Sequence, residues 1–211
     1  SGHASKERKF MKGKLFIKNW VSIKDAKVYK NGKLLFKSEE NLEIGRFLKS
    51  IYKHQGLEYP KFFKMDRLSK LGYLGVEILI DSDVKDKKTA LVFANAASSL
   101  GTDKAYAETI DEFPSPSLFV YTLPNIMLGE ISIRHQLRSE NIFFVSEEFD
   151  PALFLDYSLA LFEQKNIDNL LCGWVNLHNN DYDVFLWQIA PGGGIDFNED
   201  ELNKLYLPTH E

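Results

Sequence analysis

Asn141-Ile142-Phe143-Phe144-Val145-Ser146-Glu147-Glu148-Phe149-Asp150-Pro151 passes from strand to helix within a few residues. The run 141–146 is largely apolar and β-prone and stops at a pair of acids, as a short strand does. Asp150 is a strong helix N-cap and Pro151 fits the first helical position, where its missing N–H costs nothing. The helix is expected to run to about Gln164 and to bury Leu153, Phe154, Tyr157, Leu161 and Phe162. Asp168 to Val175, containing Leu170-Leu171-Cys172-Gly173-Trp174, then reads as a second buried strand. A strand, a helix and a strand in that order are the repeat of an α/β layer fold.

Working outward, Thr89-Ala90-Leu91-Val92-Phe93-Ala94-Asn95 is a continuous apolar run, as expected for a strand covered on both faces. Asp66 can cap a helix to about Ile80, with Leu68, Leu71, Leu74, Ile78 and Leu79 on one stripe and Gly72 and Gly75 permitting close packing. Asp103 to Ile110 reads as a short helix, and another follows Pro124-Asn125 to about His135. Asp183 to Ile189 is the last expected strand. Near the start, Leu15-Phe16-Ile17 opens a strand, and Asn31-Gly32 joins 26–30 to 33–37 as a two-residue hairpin whose central residues need positive φ. Three divisions follow: 1–10 as an added remnant or tail with Met11 as the native start, 11–190 as one domain, and 191–211 as an acidic tail beginning at Pro191-Gly192-Gly193-Gly194.

The 211 residues are 44% hydrophobic and carry net charge −4, the composition of a globular chain. Charge is unevenly distributed: residues 1–70 hold 18 Lys/Arg against 7 Asp/Glu, and residues 71–211 hold 8 against 23. Such asymmetry suggests an acidic partner for one face, or a lysine-rich end with solvated strands. Nucleic acid is not expected, because the basic half has no recognised binding motif. No apolar run approaches the roughly 18 residues of a membrane span, and a single cysteine, Cys172, suits a reducing, cytoplasmic setting. Metal-ligand spacing is absent, as are a Gly-x-Ser-x-Gly elbow and the Lys-Ser/Thr that would make 191–194 a phosphate loop. No cofactor or metal is expected.

Four segments carry a family resemblance. Lys64-Met65-Asp66-Arg67-Leu68-Ser69 resembles a Lys/Arg-x-Met-Asp-Arg-Phe-Ser helix start. Leu91 to Asn95 with Ser98-Ser99-Leu100, Pro124-Asn125-Ile126-Met127-Leu128-Gly129-Glu130, and Phe144-Val145-Ser146 through Leu171-Cys172-Gly173-Trp174-Val175 follow in order. Together they resemble the N-terminal half of the β-ketoacyl synthases. The resemblance implies one thiolase-like half-domain: a mixed, mostly parallel sheet flanked by helices, with the hairpin as an addition.

It also locates a departure. The family's nucleophilic cysteine falls at Glu148, within about two residues, and no cysteine is near. Active members hold that thiolate at a helix N-terminus, beside N–H groups that form an oxyanion hole. Glu147, Glu148 and Asp150 present carboxylates there instead, as caps and dipole partners or as a residual acid. The two histidines of the family's second half are expected to have no counterpart in these 211 residues, where His54, His135, His178 and His210 lie in no matching motif.

The resemblance therefore implies a non-catalytic subunit, comparable to a chain length factor, working with an active ketosynthase and an acyl carrier protein in fatty-acid or polyketide-type biosynthesis. The alternatives are a decarboxylase or acyl hydrolase using Glu148, and an acyl-chain binding module with no synthase partner. Lys64 and Arg67 match the family's carrier-binding helix, with Lys61 and Lys70 as nearby additions; spaced by threes, the four would form one basic ridge, which is also what an ordinary exposed helix face looks like. Family dimers pair the strand before the cysteine, here Asn141, Ile142, Phe143, Phe144, Val145 and Ser146. The partner across it is a second copy or an active ketosynthase.

Overall fold

The structure is a computed structural model that describes residues 13–81, 84, 88–96, 126–164 and 166–207. The expected 1–10 remnant, Met11, the helix at 103–110 and the segments 98–100 and 124–125 lie outside them. In chain order the elements are β1 (Leu15–Lys24), β2 (Lys27–Lys30), β3 (Lys33–Lys37), α1 (Ile44–His54), a 3-10 turn (Pro60–Lys64) and α2 (Arg67–Leu79). Then come β4 (Thr89–Asn95), α3 (Ile126–His135), β5 (Asn141–Val145), α4 (Pro151–Gln164), β6 (Asn169–His178), β7 (Asp181–Pro191), β8 (Ile195–Asp196) and α5 (Glu199–Tyr206).

One mixed sheet runs β3-β2-β1-β7-β6-β4-β5, with β8 pairing on β1. The strands β6, β4 and β5 pair in parallel, and the pairs β6–β7, β7–β1, β1–β2 and β2–β3 are antiparallel. Following those senses, β1, β3, β4, β5 and β6 all point the same way. Helices cover both faces, giving three layers. One face packs under α1, α2 and α3, around Phe47, Phe62, Tyr73, Leu74, Phe93 and Leu186. The other packs under α4 and α5, around Phe149, Phe154, Trp174, Phe185 and Trp187. The sheet is apolar on both sides, which accounts for strand β4 being buried at all seven positions.

Asn31 and Gly32 take φ of 51° and 77°, as the tight hairpin between β2 and β3 requires. Asp66 caps α2, its carboxylate accepting from the Ser69 N–H at 3.4 Å. Ten of the thirteen α2 residues are buried. At Gly75 an added Cβ would sit 2.7 Å from Leu186 Cδ1, so this glycine sets how closely α2 lies on the sheet.

Three expectations need correction, and one element is an addition to them. In α4 the buried residues are Phe154, Ser158, Leu161 and Phe162, whereas Leu153 is half-buried and Tyr157 exposed. The helix leans on the sheet through the 154/158/161/162 stripe, which turns Tyr157 outward. Lys61 and Lys64 stand on the 3-10 turn, and extended Met65 separates it from α2, so the four basic residues are not one helical ridge. The expected acidic tail does carry Glu199, Asp200 and Glu201 in the first turn of α5, where the helix dipole favours them. It nevertheless folds back, and Phe197, Leu202, Leu205 and Tyr206 join the core on the α4 face. Helix α1 was not expected at all. Ile44, Phe47, Leu48, Ile51 and Tyr52 form its buried stripe, and the Glu43 carboxylate accepts from the Arg46 N–H at its start.

Candidate functional site

The turn 146–150 joins edge strand β5 to α4 at the end of the sheet where the parallel strands finish. Ser146 donates its backbone N–H to Asn95 O at 3.0 Å and its hydroxyl to Glu148 O at 2.8 Å, which fixes the start of the turn. Glu147 and Glu148 are exposed. Asp150 Oδ1 accepts from the N–H groups of Ala152 and Leu153 at 3.0 and 3.2 Å. Two of the amides that a helix start can offer to an anion are thus taken by the protein's own carboxylate.

Between them, Phe149 turns inward and is 9% exposed. Its ring meets Tyr206 at 4.2 Å, Phe185 at 5.7 Å, Phe154 at 5.9 Å, Trp187 at 6.0 Å and Trp174 at 6.3 Å between centroids. Several contacts are edge-on, the geometry aromatic pairs favour. Tyr206 is itself anchored. Its hydroxyl donates to Asp183, which also accepts from Trp174 Nε1 at 3.1 Å and pairs with Lys24 at 3.0 Å. The Lys24 ammonium lies 3.8 Å from the Tyr206 ring centroid. Burial first, and then the Asp183 carboxylate, push the Tyr206 phenol well above its ordinary range.

Cys172 is fully buried in the middle of β6, with its Sγ 3.5 Å from Ser158 Oγ. Burial pushes the thiol far up, partly opposed by that hydroxyl. A thiol in such a place is a core residue and not a nucleophile. His135 is also buried and meets Glu77 at 3.1 Å, while His54 packs on the Phe36 ring. Among the described residues no group of three His, Cys, Asp or Glu is placed to hold a metal ion, and no helix is long and apolar enough to cross a membrane.

The basic residues lie together around the 3-10 turn, in differing states. Lys64 is exposed. Arg67 is exposed and pairs with Glu43 at 3.0 Å. Lys61 reaches the nearly buried Glu130 of α3 at 3.0 Å, so its charge is used inside the fold. The Lys70 ammonium lies 5.4 Å from the Phe62 ring centroid, and its pKa is lowered by burial and then by Lys49. Lys49 thereby links α1 to this surface, and Arg46 and Lys53 are exposed on the same helix. Sequence reasoning missed these three, although their spacing of three and four is that of one helix face. Phe63, 54% exposed, stands beside Tyr52 of α1.

Strand β5 is an edge of the sheet among the described residues, with Val145 57% exposed. A separate open cavity of about 520 Å³ lies beside the β1–β2 turn, lined by Asp25, Glu40, Asn41, Phe47, Asn180 and Tyr182 among others.

A mixed sheet between two helical layers, with the turn after an edge strand leading into a helix across it, is the thiolase-like fold of the condensing enzymes. Solved structures that share it include the ishigamide ketosynthase/chain length factor, at TM-score 0.59 and 14% identity, covering 85% of this chain and 63% of that one. Another is the ketosynthase ApeO in complex with its chain length factor ApeC from Xenorhabdus doucetiae, at TM-score 0.56 and 13% identity, covering 87% and 81%. A third is a type II polyketide synthase acyl-carrier protein in complex with its ketosynthase (AntDE:AntF), at TM-score 0.57 and 10% identity, covering 90% and 64%. The chain spans less than two thirds of the length of the first and third. At these identities the likeness is one of fold. No family model matches the chain, and no curated protein matches it by sequence.

Proposed function

We propose that the chain is a non-catalytic ketosynthase-like subunit, comparable to a chain length factor, that acts with an active ketosynthase and an acyl carrier protein in fatty-acid or polyketide-type biosynthesis. The observation that carries this reading is the turn before α4. In the active members of the family the sequence resembles, the nucleophile stands at the helix N-terminus with free N–H groups beside it. Here Phe149 fills the inward position, and Asp150 takes the Ala152 and Leu153 amides. The fold is kept while the inward position holds a hydrocarbon ring.

Two surfaces fit a subunit role. Strand β5 (Asn141–Val145) is, among the described residues, an edge of the sheet with an exposed apolar residue, a liability unless another strand pairs with it. The dimer contact is assigned there. Lys64 and Arg67, with Lys61 and Lys70 behind them, supply a positive surface for an acidic carrier protein. Lys64 and the outer face of α1 carry most of the uncommitted charge.

The experiment measures binding and turnover separately. With an acyl carrier protein from the same host, Lys64→Glu combined with Arg67→Glu is expected to weaken binding about ten-fold or more at low ionic strength, where exposed charges act most strongly. Unchanged binding would discard the docking surface. Malonyl-carrier turnover by the chain alone is expected to stay at background in wild type and in Glu148→Gln. A wild-type rate that disappears in Glu148→Gln would make the protein an enzyme and overturn the proposal.

A further inference from the structure

We propose that the β2–β3 hairpin docks the protein on an anionic lipid bilayer, its exposed leucines entering the interface and its lysines meeting the lipid headgroups. The hairpin ends the sheet on the side opposite β5, and β3 has no neighbour beyond it among the described residues. Residues 26–38 hold four lysines, Lys27, Lys30, Lys33 and Lys37, and no acid. Asp25, Glu39 and Glu40 flank that run, at the end of the hairpin away from the Asn31–Gly32 turn.

Strand register concentrates the charge. Lys24 stands opposite Lys27 and Lys27 opposite Lys37, so three lysines lie side by side across β1, β2 and β3. Lys30 stands opposite Lys33 beside the turn. Lys27 and Lys30 are three apart on β2 and point to opposite faces, which puts cations on both sides of the hairpin. Like charges directly opposite one another destabilise a sheet. Asp183 matches Lys24 at 3.0 Å and Asp81 matches Lys30 at 3.1 Å. Among the described residues, no ion pair takes up Lys27, Lys33 or Lys37.

The same strand leaves apolar side chains in water. Leu34 is 54% and Leu35 39% exposed. Leu34 stands opposite Tyr29, Phe36 stands opposite Val28, and Leu35 between them has no partner on β2. Phe36 turns to the α1 side, against the rings of Phe47 and His54.

Three kinds of anionic partner could meet such a surface, and the side chains favour one. A short strand, a bulge and lysines along it are the means by which a sheet edge resists pairing with another strand. β3 has all three, so an added protein strand fits it poorly, and edge protection alone leaves the two leucines without a purpose. Nucleic acid is read by arginine forks and stacking aromatics. Here the exposed apolar groups are aliphatic and the cations are all lysine, a point charge on a flexible stem. Leucines set among lysines suit a bilayer interface: the aliphatic groups enter, the lysine stems lie along the apolar boundary, and the ammonium groups are drawn to anionic headgroups.

The test sediments the full chain with vesicles of phosphatidylcholine alone, and of about three parts phosphatidylcholine to one part phosphatidylglycerol, at roughly 0.1 M salt. Wild type should bind the anionic vesicles at least about ten-fold better than the neutral ones. Lys33→Glu with Lys37→Glu should weaken that binding about ten-fold or more. Each new carboxylate faces Lys30 or Lys27 across the ladder, so the same variant should unfold at no lower urea concentration than wild type. Leu34→Ser with Leu35→Ser should weaken binding about as much. Arg138→Glu with Lys204→Glu makes the same change of net charge at exposed sites outside the hairpin, and should stay within about two-fold of wild type. A polarity-sensitive dye on Leu34→Cys, with Cys172 buried, should shift to the blue when anionic vesicles are added.

Equal binding to neutral vesicles, a dye that does not shift, or binding that survives either hairpin variant overturns the proposal. So does an Arg138/Lys204 variant as weak as the hairpin variants, which would make net charge the cause. Wild type that ignores anionic vesicles but binds an acidic protein or an oligonucleotide through Lys33 and Lys37 gives the surface to that partner and removes the bilayer. Each of these results is independent of the subunit role proposed above.

Discussion

Phe149→Ala tests the reading of the turn most directly. If Phe149 is a structural plug, removing its ring should be costly, because the five rings around it cannot close the gap. A buried Phe contributes about 1.5–3 kcal/mol from loss of contact with water, and truncation to Ala in a core costs about 3–5 kcal/mol in all. Phe149 keeps 9% exposure, which places it at the lower end, about 3 kcal/mol. For a domain of this size that is a fall in Tm of about 6–12 °C. Urea unfolding followed by tryptophan fluorescence would measure it, since Trp174 and Trp187 both border the site. Pairing the change with Tyr206→Ala should reveal a coupling of about 0.5–1.5 kcal/mol, as their centroids are 4.2 Å apart. A destabilisation below about 1 kcal/mol, with wild-type cooperativity, would refute the argument. It would mean that the position is an open pocket with a ring lying in it, as a substrate site would have.

Two further outcomes are expected. Cys172 should resist thiol reagents at mildly alkaline pH in the native protein and react fully in denaturant, because burial suppresses its thiolate; rapid native labelling would contradict its placement in β6. Burial by itself would raise the Glu77 carboxyl, but hydrogen bonds from His135 and Arg134 outweigh it and hold the group below its ordinary value of 4.5. A carboxylate lowered on folding stabilises the fold above its unfolded pKa, and that contribution fades as pH falls through the lower, folded value. Glu77→Gln should therefore flatten the acid limb of stability below about pH 4.5, measured by urea midpoints across pH. A limb as steep as wild type would place the acid sensitivity elsewhere.

Much of the fold was legible because its signals are local. The Asn31-Gly32 turn, the Asp66 cap and the Asp150-Pro151 start depend on a few adjacent residues, and all three stand where their chemistry places them. Helix α1 has a signal as plain, with Glu43 before Ile44 and apolar residues at 44, 47, 48, 51 and 52, and reading outward from motifs passes over it. The role of Phe149 is of another kind. Between Glu148 and Asp150 it looks like a turn residue, and only β6, β7 and α5, brought together by the fold, make it a core residue. The basic residues fail as a ridge for a related reason. A spacing of three implies one helix only if the backbone stays helical, and Met65 is extended.

Helix α4 connects the plugged turn with the proposed subunit role. A helix of a globular protein ordinarily has one apolar stripe and one polar face, and a helix apolar on most sides belongs in an interior. α4 buries Phe154, Ser158, Leu161 and Phe162 against the sheet and packs Leu155 on the same core, yet leaves Tyr157 exposed beside Phe144 of β5 and Leu159 exposed on a different side. Its sequence is that of a helix with protein on two sides. The Phe149 box packs on the inner side of the helix at its start, and the proposed subunit role gives the outer side a use. On the proposed reading, Val145 of β5 and Tyr157 of α4 would give a partner apolar area beside the strand edge. On that same reading, the element that presents chemistry in an active ketosynthase presents a surface in this chain.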